Sequence, residues 1–142
     1  TLIAPMGVLE AADRGVNVPQ YAIDKTHQVM EAHRDSISRA IDAGGKAAMG
    51  TDSGVVPHGQ NLREVHEMVR CGMTPAQALA ASTSVAAELL DVLDDRGTIE
   101  VGKRADLVVL TGDPFDTATL GDQVGAVFQS GHQVAGAVTI GA

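Results

Sequence analysis

The residue best placed to do chemistry is Asp52, in the run Gly50-Thr51-Asp52-Ser53-Gly54. The short apolar stretch Lys46–Gly50 before it reads as a buried strand. Asp52 then stands at the C-terminal end of that strand, where barrel enzymes place their catalytic groups. Gly50 and Gly54 free the backbone to turn on either side of the carboxylate. A plainer role for an Asp here is to close the following loop through its own backbone. His58 and Asn61 come next in the same loop, and Asn is a usual cap for a helix that starts there. Ser53 has no histidine–carboxylate pair nearby in the sequence, which argues against a serine nucleophile. Cys71, the single cysteine, abuts Gly72 at a helix end and reads as a buried, inert thiol. Alone it supplies neither a disulfide framework nor a thiolate metal site. No glycine run has the spacing and terminal Lys-Ser/Thr of a phosphate-binding loop.

The elements that must carry these residues follow from periodicity and punctuation. Thr1-Leu2-Ile3-Ala4 reads as a strand stopped by Pro5, and Met6–Gln20 as irregular, broken by Gly7, Gly15, Asn17 and Pro19. A long helix is expected over Tyr21–Ala43, with Ile23, Val29, Met30, Ile37, Ala40 and Ile41 at helical spacing and Gly44-Gly45 as its stop. The strand Lys46–Gly50 follows. A helix from about Asn61 to Gly72 shows Leu62, Val65, Met68 and Val69 on one face. Thr74-Pro75-Ala76-Gln77 is a capping box with proline at the first helical position. A short helix covers roughly Val85–Leu90. From Asp91 the texture becomes β. Asp94-Asp95-Arg96-Gly97 makes a turn, β-branched clusters stand at Thr98-Ile99 and Leu107–Leu110, and strands are expected over Val124–Gln129 and Gln133–Ile140. Strand–helix–strand order points to a parallel βαβ arrangement.

The 142 residues suffice for about one domain. With 44% hydrophobic and 20% charged residues there is material for a core. Aromatics are scarce and alanines number 21, so packing relies on small and aliphatic side chains. Ten basic against 18 acidic groups give a net charge of −8. That balance argues against a nucleic-acid partner, because no basic stripe exists to meet phosphates. No apolar run approaches the ~20 residues of a membrane helix. Residues 91–142 carry three basic and eight acidic groups, most of the negative excess. Two parallel strands cannot make a sheet with both faces covered, and a few β segments cannot close a sandwich. The first residue is Thr rather than Met. The sequence therefore reads as a C-terminal piece whose missing partners come from more of the same chain.

Three motifs carry a family resemblance. Ala48-Met49-Gly50-Thr51-Asp52-Ser53-Gly54 with His58-Gly59-Gln60-Asn61-Leu62-Arg63-Glu64 resembles the last barrel strand and following loop of the metal-dependent amidohydrolase superfamily. Gly72–Leu79, Ala81-Ser82-Thr83 and Ala86–Leu90 resemble its final helices. Gly97–Leu110 with Gly112-Asp113-Pro114 is similar to the start of its C-terminal β segment. The subgroup most resembled contains imidazolonepropionases and Xaa-Pro dipeptidase-like or carboxypeptidase-like hydrolases.

The resemblance implies an α/β architecture. Residues 1–90 would be the last two βα units of a (β/α)8 TIM barrel, and residues 91–142 strands of a composite β-sandwich. It implies one or two divalent ions, zinc by preference, with Asp52 as a metal ligand and catalytic carboxylate. His58 and Asn61 would bind substrate. Lys103 and Asp106 would form turns and hydrogen bonds in the β segment. The superfamily's His-x-His is absent, and the remaining ligands would lie upstream. His27, His33 and His66 read as surface groups on helices outside the barrel, and His132 as a turn residue of the tail. The expected partners are a small-molecule or short-peptide substrate, the rest of the parent polypeptide and further copies of it, without nucleic acid or membrane. The compartment is left open, with the cytoplasm favoured. Two rival functions are a non-catalytic scaffold of the same shape, and a deaminase, lactone or phosphoester hydrolase of the same superfamily.

Overall fold

The computed structural model describes residues 1–137. Its elements, in order, are α1 (Ile3–Asp13), α2 (Gln20–Asp42), α3 (Arg63–Arg70), α4 (Pro75–Ser82), α5 (Ser84–Leu89), β1 (Leu107–Leu110), β2 (Val124–Gln129) and β3 (His132–Gly136). Five helices thus precede one antiparallel sheet of order β1-β2-β3. The register sets Val108 opposite Val127 and Val127 opposite Ala135, with a bulge in each ladder.

The opening strand is not formed. Thr1–Ala4 leads into α1, and the stretch expected to be irregular is helical as far as Asp13. Short apolar runs do not distinguish strand from helix by period, and a distant side chain decides the matter. The Glu64 carboxylate, carried by α3, accepts the Leu2 and Ile3 amides at 2.6 and 2.9 Å. It thereby satisfies helix-start donors that have no intrahelical partner. Pro5 falls within the first turn, where its missing N–H costs nothing.

The long helix agrees with its expected limits to within a residue at each end. Gly44 closes it at φ 78°, with its amide on the Ile41 carbonyl at 2.9 Å. That left-handed conformation is one glycine adopts freely.

Lys46–Gly50 forms no strand. It is tied to the helices by the Met49 amide on the Ala81 carbonyl at 2.9 Å and by Lys46, which pairs with Glu88 of α5. A strand needs a neighbour for its ladder, and the described residues place none beside it. Consequently no parallel βαβ pair is seen among them. The third helix begins at Arg63 rather than Asn61. The capping box is complete. The Gln77 amide donates to Thr74 Oγ1 at 3.2 Å, and the Thr74 amide to Gln77 Oε1 at 2.8 Å. The Thr98-Ile99 cluster is not a strand, and Ile99 is 89% exposed. The last expected strand is realised as β3, and the part of that expectation beyond Ala137 lies outside the described residues.

The core is built from Leu2, Val65, Met68, Cys71, Met73, Ala78, Ala81 and Leu120, with Ile37, Ile41, Met49 and Leu110 packed against it. Leu110 and Leu120 come from the β-rich tail, so the tail contributes to the helical core. Small residues at Ala78 and Ala81, both essentially inaccessible, let α4 approach closely.

Candidate active site

The Asp52 turn is built from local hydrogen bonds. Val55 donates its amide to the Asp52 carbonyl at 3.2 Å, and Gly54 donates to the Val56 carbonyl at 3.0 Å. Ser53 and Val56 form an isolated bridge, and the Thr51 and Ser53 hydroxyls lie 2.9 Å apart. Gly54 takes φ 122°, and Asp52 itself adopts φ 52°. Asp tolerates the left-handed region better than most residues. Asp91 and Ser130 share that conformation in other turns, so it does not by itself mark a site. The Asp52 carboxylate is exposed and makes no hydrogen bond or ion pair among the described residues, as is also true of Asp91. Asp52 is therefore set apart by its glycine-flanked loop leading to α3 and not by its free carboxylate. The loop-closing role is therefore taken by the Asp52 main chain, and the side chain is left available.

His58 and Asn61 are both exposed, in the loop between Asp52 and α3. The N-cap of α3 is Leu62, with no side-chain cap. Asn61 contributes only its carbonyl, to the Glu64 amide at 3.1 Å. The capping role open to Asn61 from sequence is thus not the one it plays. No hydrogen bond joins Asp52, His58 and Asn61 among the described residues. Beside them, Gly59, Gln60, Leu62 and Arg63 face Thr117 and Asp122 across a groove of about 260 Å³.

Around this loop the helices hold charged residues that sequence reasoning passed over. Glu64 and Glu67 are 3% and 4% exposed. Glu67 is met by Arg34 of α2 at 2.7 Å and by Arg70 at 3.1 Å. Buried carboxylates are normally paired in this way. Glu10 of α1 pairs with Arg63, and that hydrogen bond holds the Glu10 carboxyl below its ordinary value. The available signal was position. On a helix whose core face is Val65 and Met68, Glu64 and Glu67 flank that face at i−1. His66 is likewise not a surface group. It is half-buried, with Nδ1 3.1 Å from the hydroxyl of buried Thr117, and so ties α3 to the tail.

Cys71 is buried as expected. Burial pushes its thiol up, against the lowering effect of the Ser38 hydroxyl. Asp106 accepts the Ser130 amide at 2.8 Å and meets Arg96 at 3.3 Å. Lys103 donates to Thr98 at 2.6 Å. Both residues thus do the turn-forming work expected of them.

A zinc site needs three or four ligands. Among the described residues no three His, Cys, Asp or Glu side chains come together to hold a metal. Asp52 offers one hard oxygen donor with no competing partner, which fits one ligand of a shared site but not a site of its own.

A helical layer and a short antiparallel sheet, with an available carboxylate in a tight turn, make this an α/β chain. It belongs to the amidohydrolase family, whose model matches residues 2–134. Among curated proteins it is similar to the imidazolonepropionase of Deinococcus deserti, 43% identical over 102 residues, covering 68% of this chain and 25% of that protein. The imidazolonepropionase of Deinococcus radiodurans is 38% identical over 100 residues, again covering 25% of the relative. Among solved structures, a Xaa-Pro dipeptidase with methionine bound in its active site superposes with a TM-score of 0.83 at 32% identity, over 95% of this chain and 33% of the other. An amidohydrolase from Thermotoga maritima superposes with a TM-score of 0.62 at 30% identity, over 73% of this chain and 26% of the other. The chain thus spans about a quarter of the curated relatives it matches and about a third of the dipeptidase chain.

Proposed function

We propose that this chain is the C-terminal part of a metal-dependent hydrolase acting on carbon–nitrogen bonds of amide or peptide type, and that Asp52 is its catalytic carboxylate. The supporting observation is that Asp52 presents an unengaged carboxylate from a turn closed by main-chain bonds, in a chain similar to imidazolonepropionases and a Xaa-Pro dipeptidase. Residues 1–90 would contribute the last two βα units of a TIM barrel, and residues 91–142 would contribute strands of a sandwich.

Zinc, as one or two ions completed by ligands from elsewhere in the protein, would lower the pKa of a bound water towards ~7 and polarise the scissile carbonyl. Asp52 would give one oxygen to that site and use the other to take a proton and pass it to the departing nitrogen. Its fixed turn would keep the acceptor oriented. His58 and Asn61, exposed beside it, would orient a small-molecule or short-peptide substrate.

The test is hydrolysis of Xaa-Pro dipeptides and cyclic amides by the full-length, zinc-loaded protein. Turnover that disappears on chelation and returns with zinc is the expected result. The isolated 142 residues should retain much less than one zinc per chain after dialysis, since one carboxylate cannot supply a ligand set. Stoichiometric zinc in the isolated chain, or full turnover after chelation, would overturn the reading.

A further inference from the structure

We propose that α1 is a positioning strut for the Asp52 turn, acting through Thr1, Gly7 and Glu64; the inference rests on the catalytic reading of Asp52. The turn from Thr51 to Val56 touches the residue leading into α1 at one end and α1 itself at the other. At its start, the Thr1 hydroxyl lies 3.1 Å from the Thr51 carbonyl oxygen, one residue before Asp52. At its end, Val56 packs on α1 where Gly7 stands. A Cβ on Gly7 would lie 2.7 Å from Val56 Cγ2 and 2.9 Å from the Val55 carbonyl oxygen, closer than such contacts allow. Val56 is among the most deeply buried side chains of the molecule.

The strut is in turn tied to α3 at two levels. Glu64 receives the Leu2 and Ile3 amides and lies 3.1 Å from the Thr1 hydroxyl. Further along, Arg63 binds Glu10 through both of its terminal nitrogens. Glu64 is notable because it is buried without a cation partner among the described residues. The positive end of α1 and two main-chain donors meet its charge instead. Hydrogen bonds to an ionised group are short and directional, so Glu64 sets where α1 begins as well as whether it forms. One buried carboxylate on α3 thus locates the Leu2 and Ile3 amides and with them Thr1. The single hydroxyl proton of Thr1 has the Glu64 carboxylate and the Thr51 carbonyl as alternative acceptors.

The experiment uses the full-length enzyme with Glu64→Gln, Thr1→Val, Thr1→Ser, Gly7→Ala and Asp52→Asn. Amide hydrogen exchange and steady-state kinetics are measured for each. With Thr1→Val and Glu64→Gln, exchange at Gly54 and Val55 should accelerate at least tenfold while Ala78 keeps its protection. The kcat should fall about tenfold with KM changed less than threefold. Thr1→Ser, which keeps the hydroxyl, should recover most of that loss. Gly7→Ala forces Val56 and the Val55 carbonyl away from α1, so it should lower both kcat and the melting temperature. Thr1→Val, which changes no buried packing, serves if Glu64→Gln or Gly7→Ala does not fold. Unchanged exchange at Gly54 and Val55, or unchanged kcat while Asp52→Asn is impaired, overturns the strut. Wild-type turnover by Asp52→Asn overturns the catalytic reading beneath it, whatever the exchange data show.

Discussion

Asp52 and Glu64 are two carboxylates twelve residues apart in opposite environments, and each environment predicts a different consequence of removal. Asp52 is exposed and unengaged, so Asp52→Asn in the full-length enzyme should leave the melting temperature nearly unchanged. On the proposed hydrolytic role it should lower kcat by at least the ~10² typical of losing a general base, and near-normal turnover would remove Asp52 from the proposed mechanism. Glu64 is buried against main-chain donors, and its loss would strand amides that must otherwise be satisfied. Asp52 was legible in the sequence as a glycine-flanked carboxylate after an apolar run, but the strand expected to carry it is not formed among the described residues. Glu64 was not legible. Its place beside the core face of α3 is a local signal, but its partners, Leu2 and Ile3, lie some sixty residues away, and no local pattern reports a contact over that separation.

At the scale of elements, local signals succeeded where both partners lie within a few residues. The box at Thr74 and Gln77 is such a case. Thr74→Ala should cost about 1 kcal/mol, read as a lower denaturation midpoint of the full-length enzyme with an unchanged slope. The Glu10–Arg63 pair joins α1 to α3 and makes a pH-dependent contribution. Because Arg63 holds the Glu10 carboxyl below its ordinary value, the stabilisation is complete above the unfolded carboxyl pKa of about 4.3. It is lost as pH falls through the lower native value. The melting-temperature gap between wild type and Glu10→Gln should therefore be present at neutral pH and close on acidification below about pH 4. A gap that widens in acid would contradict the pairing. The strand expected at Lys46–Gly50 failed for the complementary reason. A strand is a property of two segments, and the composition of one cannot supply the other.

The whole molecule exposes more surface than its mass leads one to expect. Its accessible area is 8813 Å² for 14.6 kDa, whereas a folded monomer of that mass exposes roughly 6,900 Å². Part of the difference is apolar. Tyr21, Leu89, Leu90 and Ile99 are each at least 70% exposed. Apolar area left in water does not offset the chain entropy lost on folding. Expressed alone, these 142 residues should aggregate or form a loosely packed state without a sharp melt. Adding the rest of the parent polypeptide should restore a cooperative transition. A soluble monomer with one cooperative melt and strong amide protection across α1 and α2 would overturn this expectation.

By itself the sequence determined the long helix and its glycine stop, the capping box, the buried thiol, the strands at Leu107–Leu110 and Val124–Gln129, the candidate carboxylate and the family. Each of these is written in neighbouring residues or in a contiguous motif. Tertiary structure alone decided that Thr1–Ala4 leads into a helix rather than a strand, that Asn61 does not cap α3, and that His66 is held by Thr117. It also decided that Glu64 and Glu67 are buried at all. These outcomes share one physical cause. The free energy that selects between two locally acceptable conformations comes from a donor, acceptor or packing surface far along the chain, which is present only once the chain has folded.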